Sequence, residues 1–160
     1  MKTKFLFPNR FKRIGWIILI PSTILGILFL YFDYYELKFL DLKVFAIYSS
    51  GDFFGGSTIM GFVKNNFTDE ILGILFLIGA MFVAFSKEKQ EDEFIVKTRL
   101  ESLVWATYIN YAILLFCFLF FYGTSFLNVM ILNMFSILIF FIIRFHYILY
   151  KTNKTLSHEK

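Results

Sequence analysis

Three polar side chains lie deep inside apolar stretches of the sequence, and they are the first candidates for chemistry. Asn110 lies in one apolar run, and Asn133 and Ser136 lie in the next. Counted outward from the short turn between these runs, Asn110 approaches the depth of Ser136, which predicts a hydrogen bond between two helices. Polar groups within a bilayer either join helices or line a solute path. The spacing favours the first role.

A pair of opposite charges lies closer to the ends of the same two runs. Glu101 and Arg144 fall within about one helical turn of each other in depth. Ionisable groups at membrane depth normally face a partner or water, so we expect an ion pair here. The alternative is that Arg144 extends its guanidinium to the phosphate headgroups.

Charges recur at helical spacing just before the third run. Glu93, Lys97 and Glu101 lie at i, i+4 and i+8, and Tyr108 and Tyr111 share roughly their face. Each such pair contributes only about 0.2–0.5 kcal/mol to a helix. The pattern is compatible with a solvated helix start. Its functional interpretation is a docking face for a cytosolic protein, carried by Glu93 and Lys97.

The sequence carries no pattern typical of catalysis. His146 and His158 are isolated, Cys117 is the only cysteine, and neither a paired-histidine zinc motif nor a phosphate-binding glycine loop is present. Asp33 lies at the rim of the first run, too shallow for a proton-coupled exporter of the four-helix type. We therefore expect a protein without a metal, a cofactor or an enzymatic activity, and a lipid-modifying enzyme is the least favoured class.

Four apolar runs must position these side chains. The chain has 160 residues, of which 58% are hydrophobic, and its mean hydropathy is +0.68. The runs cover residues 14–32, 67–85, 103–122 and 126–143. A hydrocarbon core of about 30 Å needs roughly 20 helical residues. The sequence thus predicts an all-α, polytopic membrane protein: one transmembrane domain over residues 1–160, with four transmembrane helices.

The distribution of basic residues predicts the orientation. Of the 16 lysines and arginines, only Lys38, Lys43 and Lys64 lie between the first and second runs. By the positive-inside rule, both termini and the loop 86–99 are cytoplasmic, and the loop 33–66 is external. The net charge of +4 collects on the inner face, where anionic lipid accounts for it better than nucleic acid.

Three local signals refine this topology. The connection over residues 123–125 is so short that the third and fourth helices must form a tight antiparallel hairpin. Gly26, Gly73 and Gly79 are expected where helices approach closely. Apolar and charged residues alternate at helix-like intervals over residues 37–48, which predicts a short amphipathic helix on the outer face.

Residues 91–106 resemble a segment of uncharacterised small four-helix bacterial integral membrane proteins. The segment EDEFIVKTRLESLVWA runs from an acidic stretch through Arg99 into a transmembrane helix. Some of those proteins are encoded beside a small helix-turn-helix regulator. The resemblance implies a multi-pass protein of the bacterial inner membrane with a regulatory role, and it carries no catalytic residue.

The sequence therefore predicts a non-enzymatic regulatory or accessory subunit that acts through protein contacts. Its expected partners are the lipid bilayer and a membrane or cytosolic protein, or a second copy of the chain. The alternative is a small oligomeric transporter or channel that uses Asn110, Asn133 and a helix kink at Pro21.

Overall fold

The protein contains four helices and one β-ribbon, in a computed structural model that describes residues 5–31, 41–49, 58–66 and 68–158. The elements follow the chain in the order α1 (Asn9–Tyr31), β1 (Asp41–Ser49), β2 (Thr58–Asn66), α2 (Thr68–Phe85), α3 (Glu93–Phe120) and α4 (Thr124–His158). The helices predicted from the four apolar runs are confirmed. Pro21 lies inside α1.

Three of the helices are long and apolar enough to cross a membrane. Their candidate spans are Asn9–Leu28, Glu93–Phe120 and Phe126–Thr152, whereas the apolar part of α2, Glu70–Phe85, is shorter. At most 17% of the most apolar window of each candidate span is buried inside the protein. Helices that are this apolar and this exposed require a surrounding lipid phase, so the protein is membrane-embedded.

The chain forms two compact units. The first comprises Met1–Leu19 and Leu77–Lys160, and the second comprises Ile20–Phe76. In the second unit, β1 pairs antiparallel with β2, from Asp41 opposite Asn66 to Ser49 opposite Thr58. The rings of Phe45 and Phe62 lie 5.6 Å apart on this ribbon. The amphipathic helix predicted over residues 37–48 is therefore wrong for residues 41–48, which form a strand, and residues 37–40 lie outside the described part of the chain. Val44, Phe45, Ile47 and Tyr48 are β-branched or aromatic residues that favour strands once a partner strand is present.

The first unit is held together by closely packed helices. A Cβ added at Gly15 would lie 2.9 Å from the backbone nitrogen of Val83, and one at Gly79 would lie 2.8 Å from that of Leu19. The close approach expected at Gly79 is thus present, whereas a Cβ at Gly26 meets nothing within 4 Å. Phe141 and Phe145 are fully buried and stacked, and Phe141 also stacks on Phe85.

Candidate functional site

Helix α3 has two faces of different character. Its buried residues are Thr98, Arg99, Ser102, Ala106, Asn110 and Cys117. Its opposite face is exposed, and we call five residues on it the outer stripe: Glu93, Lys97, Glu101, Tyr108 and Tyr111. Apart from the adjacent Thr98 and Arg99, successive members of each set are three, four or seven residues apart, the spacing that keeps side chains on one side of a helix. Small side chains on the buried face allow a neighbouring helix to approach.

The outer stripe begins with exposed charges. Asp92 caps α3 by accepting a hydrogen bond from the Ile95 amide at 2.9 Å, which places Glu93 in the first turn. Lys97 and Glu101 face each other at 3.9 Å, with side chains that are 78% and 55% exposed. A pair this exposed contributes well under about 1 kcal/mol. Lys97 and Glu101 can therefore contact another molecule with only a small loss of stabilising free energy.

Farther along α3, the outer stripe presents two phenol groups within the candidate span. Tyr108 is 72% exposed and Tyr111 is 57% exposed. Within the described part of the chain, neither hydroxyl has a hydrogen-bond partner. Tyr111 lies about 12 Å along the helix axis from Leu103, deeper than the interfacial belt in which tyrosine is usually found. A hydroxyl facing hydrocarbon loses the hydrogen bonds that water would provide.

Asn110 of α3 is buried and forms hydrogen bonds with two half-buried polar residues of α4, Asn133 and Ser136. Asn110 donates to the Oδ1 of Asn133 at 3.2 Å, and the Nδ2 of Asn133 lies 3.4 Å from the Asn110 carbonyl oxygen. Ser136 donates to the Asn110 side chain and lies 2.9 Å from the Asn133 carbonyl. The structure thus brings these three predicted residues together. Their groups are occupied in fastening α3 to α4, which leaves them little capacity for a passing solute.

Glu101 and Arg144, both within the described residues, do not form the ion pair that the sequence suggested. Glu101 lies on the outer stripe and pairs with Lys97. The Arg144 guanidinium instead lies 4.7 Å from the centre of the Trp105 ring. The physical reason is a cation–π interaction. Trp105 lies one helical turn beyond Glu101, and its π-electrons attract the Arg144 guanidinium.

Arg99 is the polar residue that sequence reasoning missed. It is only 9% exposed, and it donates to the Ser86 carbonyl at 3.2 Å and to the Glu91 carboxylate at 2.9 Å. Its guanidinium also lies 5.2 Å from the centre of the Phe145 ring. The available signal was its position on the face opposite Lys97. Arg99 fixes the residues that join α2 to α3.

The same connection, residues 86–92, is tied to the start of α1. The Phe7 amide donates to the Phe85 carbonyl at 3.0 Å, and the Lys87 amide donates to the Phe7 carbonyl at 2.9 Å. The Asn9 side chain donates to the Lys87 carbonyl at 2.6 Å, and Lys12 forms an ion pair with Glu88. The connection is therefore fixed from two sides, by α1 and by Arg99.

A pocket of about 540 Å³ opens where α1 meets this connection. We call it the basic pocket, and its lining residues are Asn9, Lys12, Arg13, Trp16, Glu88, Lys89, Gln90, Ile95 and Leu149. It is lined by the first two turns of α1, the connection after α2, the first turn of α3 and Leu149 of α4. Volumes of this size are typical of small-molecule sites.

Two further observations concern metal binding and similarity to known proteins. The described residues contain no group of three or more His, Cys, Asp and Glu side chains that could hold a metal ion. No known protein family, curated protein or solved structure matches this chain.

Proposed function

We propose that this protein is a four-span integral membrane protein of the bacterial inner membrane with both termini in the cytoplasm. The 18 residues of α2 measure about 27 Å, close to the thickness of a thin bilayer. The excess of basic residues at the ends and in the loop 86–99 supports the orientation. The short connection before α4 and the bonds from Asn110 to Asn133 and Ser136 support an antiparallel hairpin of α3 and α4.

Its function, in this proposal, is that of a non-enzymatic regulatory or accessory subunit, and the outer stripe is its contact surface. The single observation that carries this is that, among the residues that the structure describes, the hydroxyls of Tyr108 and Tyr111 have no hydrogen-bond partner although they lie on an exposed face of a membrane helix. A transmembrane helix of a partner protein offers the acceptors that lipid tails lack. Glu93 and Lys97 continue the same face toward the cytoplasm and fix the partner's register through charge.

Photocross-linking in native membranes tests this function. A photoreactive phenylalanine analogue at Val104, which lies among the outer-stripe residues, is expected to capture a partner protein of discrete mass. The double variant Tyr108→Phe/Tyr111→Phe removes two hydroxyls and little surface, and we expect it to reduce the yield severalfold. The matched control is Tyr147→Phe/Tyr150→Phe, two exposed tyrosines of α4. Equal yields in both variants would contradict the proposal.

The alternative function is a small oligomeric transporter or channel. It requires self-association, because four spans alone rarely enclose a path for a solute. The mutual bonding of Asn110, Asn133 and Ser136 speaks against their use as a pathway. A cross-linked product of twice the chain's mass would shift the weight to this alternative, and transport assays would follow.

A further inference from the structure

We propose that the basic pocket binds the headgroup of an anionic phospholipid. This inference is independent of the outer stripe, since the pocket uses different residues. It rests on the charge of the pocket, on its apolar lining and on its place at the ends of the spanning helices.

The pocket carries a surplus of positive charge. Its only acid is Glu88, and Lys12 already pairs with that carboxylate. Arg13 and Lys89 are exposed at the pocket and have no ion-pair partner among the described residues. Two unpaired cations beside a neutralised pair form a site for an anion. Guanidinium and ammonium groups both bind phosphate oxygens, the first through its planar fork.

Polar donors at the pocket complement these charges. Gln90 lines it, and Asn9 is held in place by its bond to the Lys87 carbonyl. Lys89 and Gln90 belong to the 86–92 connection, which is held in place by α1 and by Arg99. A site whose backbone is already fixed loses less conformational entropy when it binds an ion.

The remaining lining residues are apolar, which indicates a ligand with a hydrocarbon part. Trp16, Ile95 and Leu149 line the pocket, and Trp16 packs edge-on against His146 at 5.4 Å. Trp16 lies within the candidate span of α1, four residues beyond Lys12 and three beyond Arg13. Cations followed at once by tryptophan are typical of the headgroup level of a bilayer.

Phosphate could also reach this pocket as a soluble ester, but the observations favour a lipid. The pocket is open, and its lining includes the start of α1, the start of α3 and Leu149 of α4, so acyl chains can continue along α1 and α4. A soluble phosphate would leave the apolar lining in contact with water. An anionic headgroup occupies both parts of the pocket, and basic pockets between helix ends bind such headgroups in other membrane proteins.

Tryptophan fluorescence tests the proposal. The chain has 2 tryptophans, so Trp105→Phe leaves Trp16, in the pocket, as the only reporter. The protein is reconstituted in phosphatidylcholine vesicles that contain increasing amounts of phosphatidylglycerol with brominated acyl chains, which quench tryptophan. We expect quenching at low mole fractions of this lipid. The same mole fractions of brominated phosphatidylcholine are expected to quench only in proportion to their abundance.

Two double variants establish specificity. Arg13→Gln/Lys89→Gln removes the unpaired cations, and we expect the apparent affinity for phosphatidylglycerol to fall roughly thirtyfold, since each cation near an anionic headgroup contributes about 1 kcal/mol. Arg10→Gln/Lys151→Gln removes one exposed arginine and one exposed lysine outside the pocket and is expected to leave the affinity unchanged. All four substitutions are at exposed positions, so thermal unfolding serves to show that both variants fold.

Three results would overturn the inference. Equal quenching by the two brominated lipids would mean that the pocket does not select an anion. An equal loss in both double variants would reduce the effect to general surface charge. Relief of quenching by millimolar glycerol phosphate, with no lipid preference, would assign the pocket to a soluble phosphate ester instead.

Discussion

Arg99 and Lys97 lie two residues apart in α3, yet they face opposite sides of the helix. Arg99 is buried against Phe145 and pairs with Glu91, whereas Lys97 pairs with Glu101 in an exposed position. An ion pair withdrawn from solvent leaves an uncompensated charge when one member is lost. An exposed pair leaves two solvated side chains. The two pairs therefore differ in what they contribute to the structure.

We expect Arg99→Met to lower the free energy of unfolding by roughly 3 kcal/mol, because it removes the partner of the Glu91 carboxylate and a donor to the Ser86 carbonyl. Lys97→Met, the matched control, is expected to cost less than about 0.5 kcal/mol. Reversible unfolding in mixed micelles measures both. Similar losses in the two variants would contradict this account of Arg99.

The bonds of Asn110 give a second expectation for a single residue. Asn110→Ala removes its side-chain bonds with Asn133 and Ser136 and should destabilise the protein by about 1–2 kcal/mol, since such bonds contribute on average about 0.6 kcal/mol each in a bilayer. Thr107→Ala removes only a bond to the Leu103 carbonyl of the same helix. Thermal unfolding should show no measurable loss for that control. A stability of Asn110→Ala equal to that of the unmodified chain would show that the polar cluster does not fasten the helices.

At the scale of the elements, the sequence predicts the helices well and the connections poorly. Continuous apolar runs locate the four helices, because a membrane helix satisfies its own backbone hydrogen bonds. Over the strand Asp41–Ser49 the sequence pattern wrongly predicts a helix. The strand forms by pairing with Thr58–Asn66, and a pattern read over neighbouring residues contains no information on that pairing. For the same reason Arg99 was missed: Ser86 and Glu91 reach it only through the geometry of the connection. The contact of Asn110 with α4 is predictable from the sequence. Because the connection before α4 is short, counting residues outward from it shows which positions of α3 and α4 lie at the same depth in the membrane.

The crossing of α1 and α2 depends on glycine where the backbones meet. We expect Gly79→Ala to lower the unfolding temperature of the purified protein by several degrees, because its Cβ would lie 2.8 Å from the Leu19 backbone nitrogen. Gly26→Ala adds the same methyl group to a helix where nothing lies within 4 Å. That control is expected to leave stability unchanged or slightly raised. A destabilised Gly26→Ala with an unaffected Gly79→Ala would invert the assignment of the close contact.

At the scale of the whole molecule, the proposed orientation assigns the basic pocket to the cytoplasmic side of the membrane. Arg13, Lys89 and the connection 86–92 lie together where α1 and α3 begin. The β-ribbon belongs to the segment between α1 and α2, which carries few basic residues. By the positive-inside rule, the proposed orientation assigns the loop 33–66 to the outside of the cell and the loop 86–99 to the cytoplasm.

Labelling of introduced cysteines tests this orientation. The substitution Cys117→Ser first removes the only cysteine. In that background, we expect Phe62→Cys to react with a membrane-impermeant maleimide in spheroplasts, whose inner membrane is still sealed. Gln90→Cys, also at an exposed position, should react only after the membrane is permeabilised. The reverse pattern would place the termini outside and contradict the positive-inside argument.

The bonds that tie the start of α1 to the connection after α2 also constrain the order in which the protein is made. Asn9 and Lys12 bind residues that lie 78 and 76 positions later in the chain. A ribosome must therefore complete α2 before the first helix can acquire these partners, even though that helix leaves the ribosome first. Nascent chains that stop short of Lys87 carry Asn9 and Lys12 without these partners. Assembly at this end is thus a step that follows insertion of the second helix, and it cannot proceed helix by helix in the order of translation.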